Sequence, residues 1–292
     1  MTVSNRRGLW TALITNPSGV VGGILLLLVL GAAVLAPVLS PHDPNETRLN
    51  LTFQPPGTVG LVLGTDDLGR DVLSRMLYAM RASLEVGLLA VLLALVVGTF
   101  LGLMAGYWRK LDWVVSQITD VNLAFPYIIT AVALAAVSGP SASGAAVAIG
   151  ISQIPVMTRV VRAETLRVKS SDFVLNARTM NASGAWIVTR HILPNAASAI
   201  IVQATVIVPT AVIAEALLSF LGLGTRPPQA SLGVMLSNAQ SYISQAPTGA
   251  IFPGLVIVVI CLAFNLVGDA LSDALDPMPV PRKRRRLSRS PS

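Results

Sequence analysis

The sequence predicts an all-α, polytopic membrane protein with six transmembrane helices and both termini in the cytoplasm. Three observations predict it. Hydrophobic residues make up 53% of the 292 positions and charged residues only 12%, against roughly 25% charged in soluble chains. Mean hydropathy is +0.69, so too few charges exist to cover a soluble surface. Finally, uncharged stretches of helix-spanning length recur six times, and the basic residues between them alternate in abundance. The single cysteine, Cys261, excludes an internal disulfide or a multi-thiolate metal site, and two histidines, His42 and His191, exclude a three-imidazole cluster. A net charge of +7 is explained by basic residues at membrane ends, without nucleic acid.

Taken in order, the expected spans are Ser18–Leu39, Val86–Tyr107, Val121–Val137, Ala142–Thr158, Ala196–Ala214 and Gly249–Gly268. A spanning helix needs about 20 apolar residues, so the third, fourth and fifth are expected to extend into their flanks. The first is too long for the ~7–15-residue core of a signal peptide and lacks a small-x-small cleavage site, so it is expected to remain as an anchor. With the N-terminus inside, 16 of the 21 Lys and Arg fall on the cytoplasmic side. Arg48, Arg70, Arg75, Arg81 and Arg226 fall outside, as the positive-inside bias requires. Three regions result: 1–81, holding the first span and an outer segment; 82–275, a five-span core with a cytoplasmic loop at 159–195; and 276–292, a basic tail.

The outer segment is proline-rich and irregular at first, then reads Gly64-Thr65-Asp66-Asp67-Leu68-Gly69-Arg70-Asp71. Thr65 can cap a helix with Asp66 and Asp67 in its first turn. Leu68, Val72, Met76 and Met80 recur every four residues, as on an amphipathic helix at the interface or a plain lead-in to the second span. In the 159–195 loop, Asp172 suits the first turn of a short helix behind Ser170 or Ser171, and Ser183-Gly184 breaks the run. A second short helix, Ala185 to His191, leads to Pro194 in the first turn of the fifth span. Exposed Phe173, Leu175 and Met180 suit a docking knob; a basic loop on anionic membrane lipid is the plainer reading. The tail, with four prolines and an Arg-Lys-Arg-Arg-Arg run, is expected to be disordered and drawn to lipid.

Within the spans, Gly98, Gly102 and Gly106 lie four apart and mark a close helix contact. Pro126, Pro155 and Pro209 permit kinks. Asp120 and Glu215 sit near span ends, and no row of carboxylates suggests a proton or sodium relay. The chain lacks Gly-x-x-x-x-Gly-Lys-Ser/Thr and His-Glu-x-x-His, so no ATP-binding loop, zinc-protease helix or catalytic residue is expected. Physics alone leaves a transport subunit, a carrier acting without an ATPase, and a membrane scaffold.

The stretch Asp172-Phe173-Val174-Leu175-Asn176-Ala177-Arg178, with Arg190-His191-Ile192-Leu193-Pro194-Asn195, resembles the coupling loop of ABC importer permeases. The block Gly64 to Arg75 is similar to the segment before the core in the C-type subunit of the dipeptide/oligopeptide/nickel family. Two further blocks match that family, Glu215-Ala216-Leu217-Leu218-Ser219-Phe220-Leu221-Gly222-Leu223-Gly224 and Gly268-Asp269-Ala270-Leu271-Ser272-Asp273 onward. The four blocks fall in the family's order. The resemblance implies the type I importer permease fold and half of a translocation pathway. It also implies a second, homologous permease subunit, two cytoplasmic ATPases that carry ATP and magnesium, and an extracytoplasmic solute-binding protein. No cofactor, metal or nucleic acid is implied for this chain. Asp172 to Arg178, Asn181, His191 and Pro194 would couple to an ATPase. Asp120, Pro126, Pro209 and Glu215 would lie on the path or its gate, and Gly64, Thr65, Asp66, Gly69, Arg70, Asp71 and Arg75 form the outer family block. The loop departs from the family's Glu-Ala-Ala by Leu175 and Asn176, and Asn181 stands where Gly is expected. Asn tolerates the left-handed backbone that such a turn needs.

Overall fold

The computed structural model describes residues 16–275. The tail beyond, read above as disordered, lies outside the described residues. Among these, all regular structure is helical. Five of the described helices are long and apolar enough to cross a membrane, and a pair bent by 91° brings the number to six when it is counted as one broken span.

Helix α1, Pro17–Val34, starts behind Asn16, whose side chain accepts the Ser18 N–H. It touches the bundle through a narrow stripe, Gly19, Gly22, Val29 and Ala33. Gly22 lies so close to the last long helix that a Cβ there would stand 2.6 Å from Leu266 Cβ. A short α2, Ala36–Leu39, follows. Residues 40–71 then form a compact run of turns and one 3-10 turn, Leu49–Leu51.

The next helix, α3, runs 36 residues, Val72–Tyr107. Its start corrects two expectations. Asp71, not Thr65, is the cap: its carboxylate accepts the Ser74 N–H at 2.9 Å. Residues 72–81 are not a separate interfacial helix, because Val72, Leu77, Met80 and Arg75 are all buried in the bundle. Gly64 and Gly69 explain the shift. Both have positive φ and back onto other backbone, where an added Cβ would meet Gln54 O at 2.2 Å and Arg48 O at 1.9 Å. Residues 64–70 are thereby folded into turns, and the helix begins only after them.

The third span is broken. Amphipathic α4, Arg109–Leu123, meets α5, Tyr127–Ser138, at 91° around Pro126. Arg162 holds α4 against the bundle by donating to both Asp112 oxygens, at 2.5 and 3.0 Å. Helix α6, Ala142–Lys169, is capped by Ser141 and continues eleven residues past the expected Thr158. The loop therefore opens at residue 170, not at 159. It carries α7, Asp172–Thr179, and α8, Gly184–Ile187. The helix then widens into a π turn, Val188–Ile192, and runs on as α9, Leu193–Phe220. Pro194 offers no N–H to the turn before it, and the Leu193 N–H reaches back to Val188 O, five residues away. Helix α10, Leu232–Gln240, capped by Ser231, and α11, Thr248–Leu275, complete the chain.

The core is built on α3 and α6. The glycine stripe of α3 meets α6 in register: a Cβ on Gly98 would lie 2.7 Å from Met157 Cβ, on Gly102 2.6 Å from Val161 Cβ, and on Gly106 2.5 Å from Thr165 Cβ. Both series advance by four residues in the same direction, so the two helices run parallel. In lipid, where apolar burial gives no drive to associate, such close contact is what holds helices together. Helix α9 packs on both, and α11 and α10 pack on α9. Gly233 puts α10 directly against Ala216 O of α9, where a Cβ would lie 2.0 Å away.

Candidate functional site

At one end of the bundle the tips of α3 and α6 and the start of α8–α9 surround α7. The sequence makes α7 short. Ser171 precedes it, Asp172 supplies a carboxylate to its positive end, and Arg178 sits in its last turn. Asn181 stops it with φ of 63°. The Asn181 N–H donates to Arg178 O and the Ala182 N–H to Ala177 O, closing the helix with the left-handed cap that Gly usually provides. The expected turn thus survives with Asn.

Helix α7 has two faces. Val174 is fully buried and Ala177 half-buried, and Arg178 lies on the same side, its guanidinium 5.1 Å from the centre of the Tyr107 ring. Phe173, Leu175, Asn176 and Met180 are exposed. His191 comes up beside them, with ring centres 5.9 Å from Phe173 and 4.8 Å from Trp186. The result is an outward apolar patch of Phe173, Leu175, Met180 and Trp186. Asp172 and Pro194 are exposed at its margins. Trp186 and Tyr107 were not singled out by sequence; a tryptophan three residues after Ser183 was the available signal, because the cap fixes where α8 faces.

At the opposite end the Gly64–Arg75 block forms one hydrogen-bonded cluster. Asp66 accepts from Arg70 Nε at 2.7 Å and lies 3.5 Å from Arg75 Nε. Arg75, fully buried, donates to Pro44 O at 2.9 Å. Thr65 donates to Leu51 O, and Asp71 holds Ser74 with His42 3.8 Å away. Residues from 42 to 75 are thereby pinned to the head of α3. Nearby, Glu46 is held below its ordinary carboxylate pKa, chiefly by its hydrogen bond from Arg48.

The four residues expected on a path do not converge. Asp120 is exposed on α4 and accepts from Arg159 at 2.8 Å. Pro126 is exposed at the α4–α5 break. Pro209 is buried in α9. Glu215 is fully buried where α9 meets α3 and α10; Ser219 donates to it at 2.7 Å, with Ser83 and Ser231 alongside. Among the described residues, no group of three or more His, Cys, Asp or Glu is placed to hold a metal ion.

A bundle of apolar, membrane-spanning helices that presents a short helix on the tips of its spans has the build of a multi-pass membrane protein of the permease class. Comparison with known proteins gives the particular family. Residues 94–278 match the family described as "Binding-protein-dependent transport system inner membrane component" and residues 4–56 match the "N-terminal TM domain of oligopeptide transport permease C". The chain belongs to this family of binding-protein-dependent transport permeases. It is 41% identical to the dipeptide transport system permease protein DppC of Alkalihalophilus pseudofirmus, over 94% of this chain and 90% of the relative. It is also 41% identical to the glutathione transport system permease protein GsiD of Pectobacterium atrosepticum, over 93% and 90%. With DppC of Haemophilus influenzae identity is 38%, over 92% and 93%. These relatives are named as permeases, not ATPases.

Proposed function

We propose that this chain is the C-type permease subunit of an ATP-driven importer for dipeptides or similarly short peptides. It forms half of the pathway beside a second, homologous permease. Two ATPases carry ATP and magnesium, and a solute-binding protein delivers the peptide on the outer side. Both termini lie in the cytoplasm, where the basic residues concentrate. Residues 82–275 form the transport core, behind an N-terminal region of 1–81 and ahead of a lipid-seeking tail. The observation that carries the reading is α7 itself: an eight-residue helix with Val174 and Ala177 turned in and Phe173, Leu175 and Met180 turned out, beside Trp186 and His191. That patch suits a groove on an ATPase. ATP-driven closure of the ATPases would move α7 and shift the spans between inward- and outward-open states. The Pro126 break, Pro209, Asp120 and Glu215 would serve that movement, Glu215 as a buried tie to the Ser231 cap of α10 and Asp120 through its exchangeable pair with Arg159. The peptide cargo rests on the named transport of the relatives.

The test is to tag the chain in its host, purify it in mild detergent, identify what co-purifies, and reconstitute the assembly in vesicles. The expected result is a second six-span chain plus P-loop ATPases, with uptake of a labelled dipeptide that needs ATP and the binding protein. Uptake by vesicles holding this chain alone, without ATP, would sink the reading. Uptake of another solute but no peptide would sink only the cargo.

A further inference from the structure

Helix α7 is lightly held. Only one of its side chains, Val174, is fully buried, and on either side it is joined by short turns. A knob attached so weakly would slide in the 170–183 loop when pulled. Yet one ring ties it down. Tyr107, the last residue of α3, reaches α7, the end of α6 and the start of α8. The Arg178 guanidinium stands 5.1 Å from its centre and Lys169 Nζ 5.4 Å. Lys169 also donates to Tyr107 O at 2.7 Å and Gly106 O at 3.2 Å. These are carbonyls of α3's last turn, which lack helical partners and carry the negative end of its dipole. Gly184, the first residue of α8, leaves room for the ring: a Cβ there would lie 2.8 Å from Tyr107 Cε1. Trp108 packs edge-on against the ring with centres 4.7 Å apart and fixes its orientation.

We propose that Tyr107 is a positioning residue that fastens α7 to the end of α3, with Lys169 and Arg178 as its cationic partners, so that displacement of α7 reaches α3 instead of being lost in the loop. The inference rests on the permease reading above. It concerns how α7 is anchored on its inner side, which is distinct from the outward patch offered to an ATPase. The ring is the operative part, since cations are attracted to its face; the phenolic hydroxyl is dispensable.

Two measurements test it. In vesicles holding the full assembly and its binding protein, labelled dipeptide uptake and ATP hydrolysis are read from the same preparation. Tyr107→Ala is expected to lower the peptide carried per ATP hydrolysed about five- to thirtyfold, the factor two cation–π contacts of ordinary strength give together. Tyr107→Phe should restore the wild-type ratio, and Arg178→Gln, a surface change that leaves the ring in place, should give an intermediate loss. An unchanged ratio in Tyr107→Ala and Arg178→Gln overturns the proposal. So does a parallel fall of uptake and hydrolysis that Phe does not rescue, since that marks a merely structural ring. The second measurement needs neither cargo nor ATPase: amide hydrogen exchange of residues 172–179 in the detergent-solubilised full chain. Exchange should quicken several-fold in Tyr107→Ala and Arg178→Gln and stay at the wild-type rate in Tyr107→Phe. If exchange behaves so while the wild-type assembly carries no peptide, the cargo reading has failed and the junction stands. If exchange in Tyr107→Ala matches wild type, the junction has failed.

Discussion

Gly102→Ala should destabilise the bundle by about 1–3 kcal/mol, the usual cost of one methyl too many in a packed interior. The structure gives the reason. The added Cβ would stand 2.6 Å from Val161 Cβ and 2.8 Å from Thr158 O, whereas ordinary contact starts at 3.4 Å. Val161 Cβ and Thr158 O are both fixed to the α6 backbone and cannot swing aside, so α3 and α6 must part by about 0.6–0.8 Å, and a gap of that size forfeits a quarter to a half of each contact's dispersion energy. The stripe has neighbours at Gly98 and Gly106, whose contacts open with it. Unfolding of the purified chain in detergent, followed by heat or denaturant, reads the loss. Gly23→Ala and Gly31→Ala are the controls, because nothing lies within 4 Å of a Cβ at either position. There the helix gains roughly 0.5–1 kcal/mol from the lost backbone freedom of glycine. Combined with Gly102→Ala, Val161→Gly should cost less than the two single changes sum to, with a coupling energy above about 0.5 kcal/mol. Equal stability of the Gly102 and Gly31 variants would refute the reasoning, and so would a strictly additive double variant.

Other outcomes follow from the same geometry. Asp71→Ala should cost about 0.5–2 kcal/mol as a lost cap and expose residues 42–70 to protease, while Asp71→Asn keeps the cap and most of the protection. Asn181→Gly should leave α7 intact, whereas Asn181→Val, forced to φ near 63°, should cost about 1–2 kcal/mol and speed hydrogen exchange in residues 172–179. Trp186→Ala should weaken recovery of the ATPases with the tagged chain without altering its melting in detergent, since Trp186 is half exposed. Unchanged recovery would remove Trp186 from the docking patch.

Much of the fold was legible because its causes are local. Of six apolar stretches five became single long helices and the third a bent pair, and three glycines four apart marked a tight helix pair. Ser183 and Asn181 announced where α7 and α8 stop and start. The errors have a common origin: hydropathy records where lipid begins, not where a helix ends. Helix α6 therefore continues through Arg159, Arg162 and Arg167, and α3 begins well before Val86. Thr65 and Asp71 are equally good caps on paper. What separates them is the positive φ of Gly64 and Gly69 packed against residues 48 and 54, a long-range contact. The site was half legible for the same reason. The outward residues of α7 could be read from composition and spacing. The seating of Arg178 on Tyr107 could not, because 71 positions separate them and only the fold brings them together.

Among the longest helices, α6, α9 and α11 each carry an internal proline, at 155, 209 and 253, and α3 carries none. A 36-residue helix is about 54 Å long, well beyond the ~30 Å hydrocarbon layer. One end is riveted by the Arg75–Asp66 cluster and the other finishes at Tyr107. Among the described residues α3 is thus the longest α-helix, and it runs uninterrupted between neighbours that carry prolines. Pivoted at its riveted end, a tilt of only about 5° would sweep the Tyr107 end through about 5 Å, nearly one helical turn.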